Sequence, residues 1–404
     1  MTKRLLALAI ALIAVFFLSS CGDAAEISPP ETENENPSPE MPPDPTTPGG
    51  SVEPPSGSTA INDTTWMIDL SYLTDLSMTV DSVFPVTNDI LFVFASKLTD
   101  GQVSEKAYLY TYSLMQDAFT GNSMPIGIIG QYPSVVFKDG TVMVLTLNTE
   151  TYEFETMLFI NPSTLSYEEN LISGISEIRS IYVSPDKKMA AVSTYDGLTI
   201  TDISFEKVYA EYKGFTPEGG DASIDYHLPC AVGWLPDGSG IVGRMLGGEW
   251  VYNPFIFYVD GSMTDLLEYE YLSGIPCQSS SLLLYDYFTS APKGILDISS
   301  LLYTPLSIDG LPTEEDTSYI SAISFSPNGD MVAIAVSSPQ DDDICTTGFY
   351  QGSVLSSSFS ISKSGNYPVS FESVSFTPSG KMAILMTSAT VDAQKAIYYM
   401  SLYR

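Results

Sequence analysis

The sequence predicts an all-β chain and, within that class, a seven-bladed β-propeller of four-stranded blades. Three observations carry the prediction. Tyr, Phe, Val, Ser and Thr are plentiful, while helix-length stretches with a 3.6-residue period are few. A strand–turn–strand unit recurs along the chain, with a Pro-Asp-Gly-like turn at its centre. The spacing of its copies is about 50 residues, the length of a four-stranded blade.

The first segment, residues 1–20, reads as a secretion signal. Lys3 and Arg4 form a charged start, and Leu5 to Leu18 is an apolar run too short to span a bilayer comfortably. It runs into Leu18-Ser19-Ser20-Cys21, which resembles the lipobox of bacterial lipoproteins. The resemblance implies diacylglycerol on the Cys21 sulfur, cleavage before Cys21, and membrane attachment through the N-terminal lipid. Several acyl chains would anchor stably where one would not. Gly22, rather than Asp, follows Cys21. Within this resemblance that favours the outer membrane of a bacterial envelope. A plain signal peptide with an incidental cysteine is the alternative.

Residues 21–60 come next. From Gly22 to Ala60 there is no aromatic residue and no Lys or Arg, and Pro, Glu, Ser and Thr are dense. Such a segment cannot bury enough apolar surface to offset its ordering entropy, so it reads as a disordered tether. In polyproline II geometry, at ~3.1 Å per residue, it would reach roughly 120 Å.

Residues 61–404 hold the repeats. The clearest copies are Ile178–Ser193, Cys230–Gly243, Ile320–Val336 and Ser373–Met386, with weaker ones at Pro133–Leu145 and Val83–Ala95. Their second turn residues are 89, 140, 187, 238, 329 and 380, and the gaps are 51, 47, 51, 91 and 51. The gap of 91 is two periods, so a degenerate copy is expected near Ser281–Tyr287. Phe325–Gly329 (FSPNG) and Phe376–Gly380 (FTPSG) carry the turn phrase in full, and Trp234–Gly238 (WLPDG) nearly so. This phrase resembles the WD40-like propeller repeat of TolB-type periplasmic proteins and of prolyl-oligopeptidase-like peptidases. The resemblance implies fold more than function. A lone strand-like segment, Thr65–Leu73, precedes the first copy and is expected to complete the last blade, which otherwise lacks an outer strand.

Charge narrows the partners. Acidic residues number 49 against 16 basic, a net charge of −33, which repels nucleic acid and anionic lipid head groups. Solubility accounts for the excess without a ligand; cation binding is the alternative.

The single histidine, His227, excludes a His-rich metal centre. There is no Gly-x-Ser-x-Gly, phosphate-binding glycine loop, Cys-x-x-Cys or His-Glu-x-x-His, so no catalytic residue and no metal ligand is assigned. In a propeller, the loops between second and third strands and between blades converge on the face opposite the turn phrase. Asp221, Asp225, Tyr226, His227, Trp250, Tyr252, Asp341, Asp342 and Asp343 fall on that face. Aromatics mixed with carboxylates suit a sugar, a peptide or a cation. Consecutive Asp residues do not match the spaced ligands of an EF-hand, so no cofactor is expected, with calcium as the alternative. Cys230 and Cys277 each follow Pro and stand 47 residues apart. In an oxidising envelope they could bridge, or they could be two small buried residues. Two functions fit. One is a lipid-anchored, non-enzymatic binding or scaffold module for an envelope protein or glycan. The other is a carboxylate- or calcium-dependent propeller hydrolase or lyase.

Overall fold

The computed structural model describes residues 58–404 except 69, 100–101, 217–225, 248–253, 267–271, 278–280, 287–288, 313–317, 338–343, 363–369, 389–394 and 403–404. The chain enters through β1 (Ser58–Asn62), β2 (Thr65–Ile68) and a one-turn helix, α1 (Ser71–Asp75). β1 begins ahead of the boundary expected at residue 61. Seven strands follow as one antiparallel sheet: β3 (Met78–Pro85), β4 (Ile90–Thr99), β5 (Gln102–Ser113), β6 (Ala118–Gln131), β7 (Val142–Leu147), β8 (Phe154–Ile160) and β9 (Tyr167–Leu171). β6 joins two repeats, because its first part pairs with β5 and its last residues, from Ile128, pair with β7.

Four meanders of four strands come next. They are β10 (Ile178–Val183) to β13 (Val208–Lys213) through β11 (Met189–Thr194) and β12 (Gly197–Asp202), and β14 (Leu228–Trp234) to β17 (Met263–Asp265) through β15 (Gly240–Leu246) and β16 (Pro254–Tyr258). The third holds β18 (Leu272–Cys277), β19 (Ser281–Asp286), β20 (Pro292–Asp297) and β21 (Leu302–Pro305). The fourth holds β22 (Tyr319–Phe325), β23 (Met331–Ser337), β24 (Ile344–Gln351) and β25 (Val354–Ser362). Last come β26 (Ser370–Phe376), β27 (Met382–Ser388) and β28 (Lys395–Ser401).

β28 pairs antiparallel with β2, in the register Thr65↔Met400 to Ile68↔Ile397, and β1 adds a fifth strand outside β2. The N-terminal segment therefore completes the last sheet, as expected from the sequence. β26 and β27 also pack against β3, and Ser379 N–H in the last turn donates to Asn88 Oδ1 in the first at 2.8 Å. One apolar cluster runs from Ile68 and Val80 to Ile384 and Ile397, so first and last sheets share a core.

The cores lie between sheets. Second strands, sandwiched on both faces, are buried almost continuously, as in β7, β11 and β23, whereas the fourth strands β9 and β21 are mostly exposed. This explains why second strands read as unbroken apolar runs. At about 1.5–3 kcal/mol per fully buried large aliphatic or aromatic side chain, they carry most of the stabilisation.

Five turns share one geometry. The N–H of Gly140, Lys187, Gly238, Gly329 and Gly380 donates to the carbonyl three residues earlier, at 2.7–2.9 Å, and each of the five has positive φ. The Asn88–Asp89 turn differs: Thr87 Oγ1 accepts from the N–H groups of Asp89 and Ile90, and neither Asn88 nor Asp89 has positive φ. The fifth repeat departs from expectation. Ser281–Asp286 is its second strand, not its turn, and the hairpin connection is 278–280, so the copies are unevenly spaced. Leu282-Leu283-Leu284 explains this, because all three are fully buried and belong in a sandwiched strand.

Candidate functional site

First strands form the inner edge of the array, with β10 packed on β14, β14 on β18, β22 on β26 and β26 on β3. Counting back from the turns finds a pattern on them. Asp81, Tyr132, Arg179, Cys230, Ser321 and Glu372 each stand eight residues before residues 89, 140, 187, 238, 329 and 380 respectively. Asp81, Arg179, Ser321 and Glu372 are each the extra residue of a β-bulge in the first hairpin. A bulge bends the strand and re-aims its side chain, and bulges concentrate beside binding sites. The position lies at the end of the hairpin away from the turn, on the loop-rich face.

The polar groups there are tied into their surroundings. Ser96 Oγ donates to Asp81 Oδ2 at 2.5 Å. Burial, with the Asp81 charge nearby, pushes the Tyr132 phenol up. Ser321 Oγ donates to the Ala335 carbonyl at 3.3 Å and accepts from Ser337 Oγ at 3.1 Å. Asp81 and Glu372 occupy the same position on neighbouring strands β3 and β26, which puts two carboxylates on one part of the inner edge.

The third and fourth repeats carry the opposite charge. Arg179 lies over the Tyr195 ring, 5.1 Å from its centroid, a cation–π arrangement. Arg244 on β15 is the register partner of Cys230 on β14. Burial raises the Cys230 thiol pKa, while the charges of both arginines pull it the other way.

Tyr226 and His227 flank this corner. His227 exchanges backbone hydrogen bonds with Phe215, at 2.7 and 2.9 Å, and the two rings lie 5.2 Å apart. A Cβ at Gly214 would collide with the Tyr226 phenol, and one at Gly247, where φ is +122°, with the Tyr226 carbonyl. Both predicted residues are thus pinned in place, three and four positions before Cys230. Asp221, Asp225, Trp250, Tyr252, Asp341, Asp342 and Asp343 lie outside the described residues, as do residues 1–57 with Cys21.

The Cys230–Cys277 bridge is not formed, since Cys230 is a buried free thiol. Strand geometry gives the reason. Cys230 lies near the start of β14, whereas Cys277 ends β18 beside its turn, so the two are not at equivalent positions. Cys345 is buried as well, and its thiol donates to Ser337 Oγ at 3.7 Å. Among the described residues, no group of three or more His, Cys, Asp or Glu side chains gathers to hold a metal.

Sequence reasoning missed Arg179, Arg244 and Tyr195. A usable signal was present, because the chain has only four arginines, Arg4, Arg179, Arg244 and Arg404, and two fall inside repeats. The shared offset of eight would have singled out Arg179.

No protein-family model matches the chain, and no curated protein matches it. Solved structures do. The β-propeller domain of the trilobed protease from Pyrococcus furiosus superposes with a TM-score of 0.51 at 13% identity, covering 81% of this chain and 96% of that one. The β-propeller domain of Cps50 (Swd1) from Myceliophteria thermophila gives 0.52 at 9% identity, over 80% and 99%. The acylaminoacyl peptidase of Pyrococcus horikoshii gives 0.52 at 13% identity over 82% of this chain, which matches 53% of that protein's length. At such identities the likeness is one of fold, and the fold is an all-β propeller. The trilobed protease domain is described as having an open velcro topology. In this chain β2 pairs with β28.

Proposed function

We propose that this protein is a non-enzymatic binding module, anchored through lipid on Cys21 in a bacterial envelope. In this reading a seven-bladed propeller, its seven-stranded sheet counting as two blades, stands on a Pro-rich tether. It holds an envelope protein or glycan on its loop-rich face. The observation that supports this is the row of polar residues at a common offset on the inner strands: Asp81, Tyr132, Arg179, Cys230, Ser321 and Glu372. Half-buried charges do little for stability, so three of them in this row, Asp81, Arg179 and Glu372, suit recognition better than folding. Screening the full chain against peptide and glycan arrays, then measuring hits by calorimetry, tests the reading. Arg179→Ala and Glu372→Gln should weaken binding with melting temperature unchanged. Unaltered binding in both variants would overturn it.

A hydrolase or lyase is the second reading, favoured by one observation, the matched placement of Asp81 and Glu372 on adjacent strands. Two carboxylates can divide general acid and base roles. If this reading holds, array ligands incubated with the protein will be cleaved, and Asp81→Asn will stop cleavage while sparing binding. A calcium titration belongs to the same experiment, since a stoichiometric calcium requirement would favour the enzyme.

A further inference from the structure

We infer that the corner of the loop-rich face between the third and fourth repeats binds a neutral glycan, stacking sugar rings on the exposed aromatic faces of Tyr195 and Phe215. The inference rests on the binding-module reading and adds a ligand class to it.

Tyr195 and Phe215 are 53% and 42% exposed, although a large ring left in water forgoes the stabilisation of burial. Tyr195 lies in the connection between β11 and β12, and Phe215 two residues beyond β13. The β12–β13 register ends at Gly197↔Lys213, and one residue further on the Gly214 N–H donates to the Asp196 carbonyl at 2.8 Å. Tyr195 and Phe215 are the next residues on either side of that bond, so one piece of backbone carries both rings. A Cβ at Gly197, where φ is +145°, would collide with the Tyr212 carbonyl, and one at Gly214 with the Tyr226 phenol, so this backbone is closely packed. Phe215 is clamped to His227 by two backbone hydrogen bonds, and its ring lies 5.2 Å from the imidazole. Arg179 lies over the Tyr195 ring. Each ring is thus backed by a neighbour and still open to a ligand.

The polar groups at this corner favour a sugar over a peptide. The Asp196 N–H donates to Thr194 Oγ1 at 3.1 Å, and the Asp196 carbonyl, the Gly214 N–H and the main-chain groups of Phe215 and His227 are bonded among themselves. A peptide main chain would find those groups taken, whereas strand addition needs them open. What the corner offers is ring faces together with the Arg179 guanidinium, the His227 imidazole and the exposed Asp196. A pyranose matches that offer, with an apolar C–H face for each ring and hydroxyls that both donate and accept around its rim. Neutrality matters too. A chain of net charge −33 repels an acidic polymer and is indifferent to a neutral one.

The test is calorimetry on the full chain with three neutral oligosaccharides, maltohexaose, cellohexaose and N-acetylchitohexaose, and with hexagalacturonate as the acidic counterpart. At least one neutral hexamer should bind with 1:1 stoichiometry and more tightly than the acid. Tyr195→Ala and Phe215→Ala should each weaken that binding by about tenfold, the loss of one stacked ring, whereas Tyr195→Phe and Phe215→Tyr keep the ring and should bind within about threefold of wild type. Phe215→Leu keeps an apolar side chain against His227 but removes the flat face. It should bind like the alanine variant, and it serves if that variant misfolds. The inference fails if no neutral hexamer binds, if hexagalacturonate binds most tightly, or if the alanine variants bind like wild type. Should the hexamers fail while a peptide from the array binds, the glycan site falls and the binding-module reading stands. Should neither saccharide nor peptide bind, both fall.

Discussion

Lys187 shows how one residue can break the turn phrase and still be selected by its surroundings. It occupies the position filled by glycine in four sister turns, with φ at +58°. A side chain there is strained by about 1 kcal/mol or more. Its ammonium reaches back to the preceding repeat, 2.5 Å from Asp139 Oδ2 and 3.0 Å from Thr141 Oγ1. It also lies over the rings of Phe137 and Phe159, at 5.6 and 5.0 Å. Lys187 therefore pegs two repeats together. Lys187→Ala should keep the strain and lose the peg, for a loss of about 1–2 kcal/mol, whereas Lys187→Gly relieves the strain and should lose less. Urea denaturation of wild type and the two variants decides it: an alanine variant as stable as wild type would refute the peg, and one as stable as the glycine variant would refute the strain. Slight burial opposes ionisation of Asp139, but hydrogen bonds from Lys187 and Thr141 prevail and bring its pKa down to about 2. The folded pKa is lower than the unfolded one. The contribution is thus complete above about pH 4 and lost as pH falls towards 2. The Asp139 carboxylate is half exposed, so solvent screening keeps that contribution small.

At the scale of elements, the closing strands β1 and β2 decide whether the last sheet has a free edge. β2 brings Trp66 onto Tyr399, ring centroids 5.3 Å apart, and buries Ile68. β1 is fastened by a polar knot. Ser58 N–H donates to Asp117 Oδ2 at 2.8 Å, and the hydroxyls of Tyr112 and Tyr399 both donate to Asp117 Oδ1, at 2.8 and 2.7 Å. Deleting residues 58–68 should remove about 2–4 kcal/mol of packing and lower the melting temperature by several degrees. An unchanged melt would mean that the ring closes without these strands. Burial raises the Asp117 pKa, but the hydrogen bonds from Ser58, Tyr399 and Tyr112 outweigh it and leave the carboxyl below its ordinary value. The knot is therefore intact above the ordinary carboxylate range and weakens as pH falls through the folded pKa. Wild type should melt above Asp117→Asn at neutral pH, and the gap should shrink on acidification. A constant gap from neutral to acid pH would contradict the assignment.

At the scale of the whole molecule, what could be read from sequence was what repeats. The turn phrase at Phe325–Gly329, the buried second strands and the closing role of Thr65–Ile68, the first part of the expected Thr65–Leu73 strand, follow from local residue types that recur or are conspicuously left over. Three features did not recur and were missed. β6 serves two repeats, the fifth hairpin already pairs Cys277 with Ser281, ahead of the expected position, and Arg179 and Arg244 act on one thiol from two sheets. Charge is the one global property that composition states directly, and it yields a last prediction. A net charge of −33 makes the folded state self-repelling. The opposing ion pairs among the described residues have at least one partly or well exposed partner each, and such pairs contribute about 0–1 kcal/mol. Repulsion spread over so many carboxylates should therefore prevail, and added salt should stabilise the protein. The melting temperature should climb most steeply up to about 0.15 M sodium chloride, where the screening length has fallen to about 8 Å, and then level off. A melting temperature that drops with salt would mean that local ion pairs, not the global charge, govern this fold.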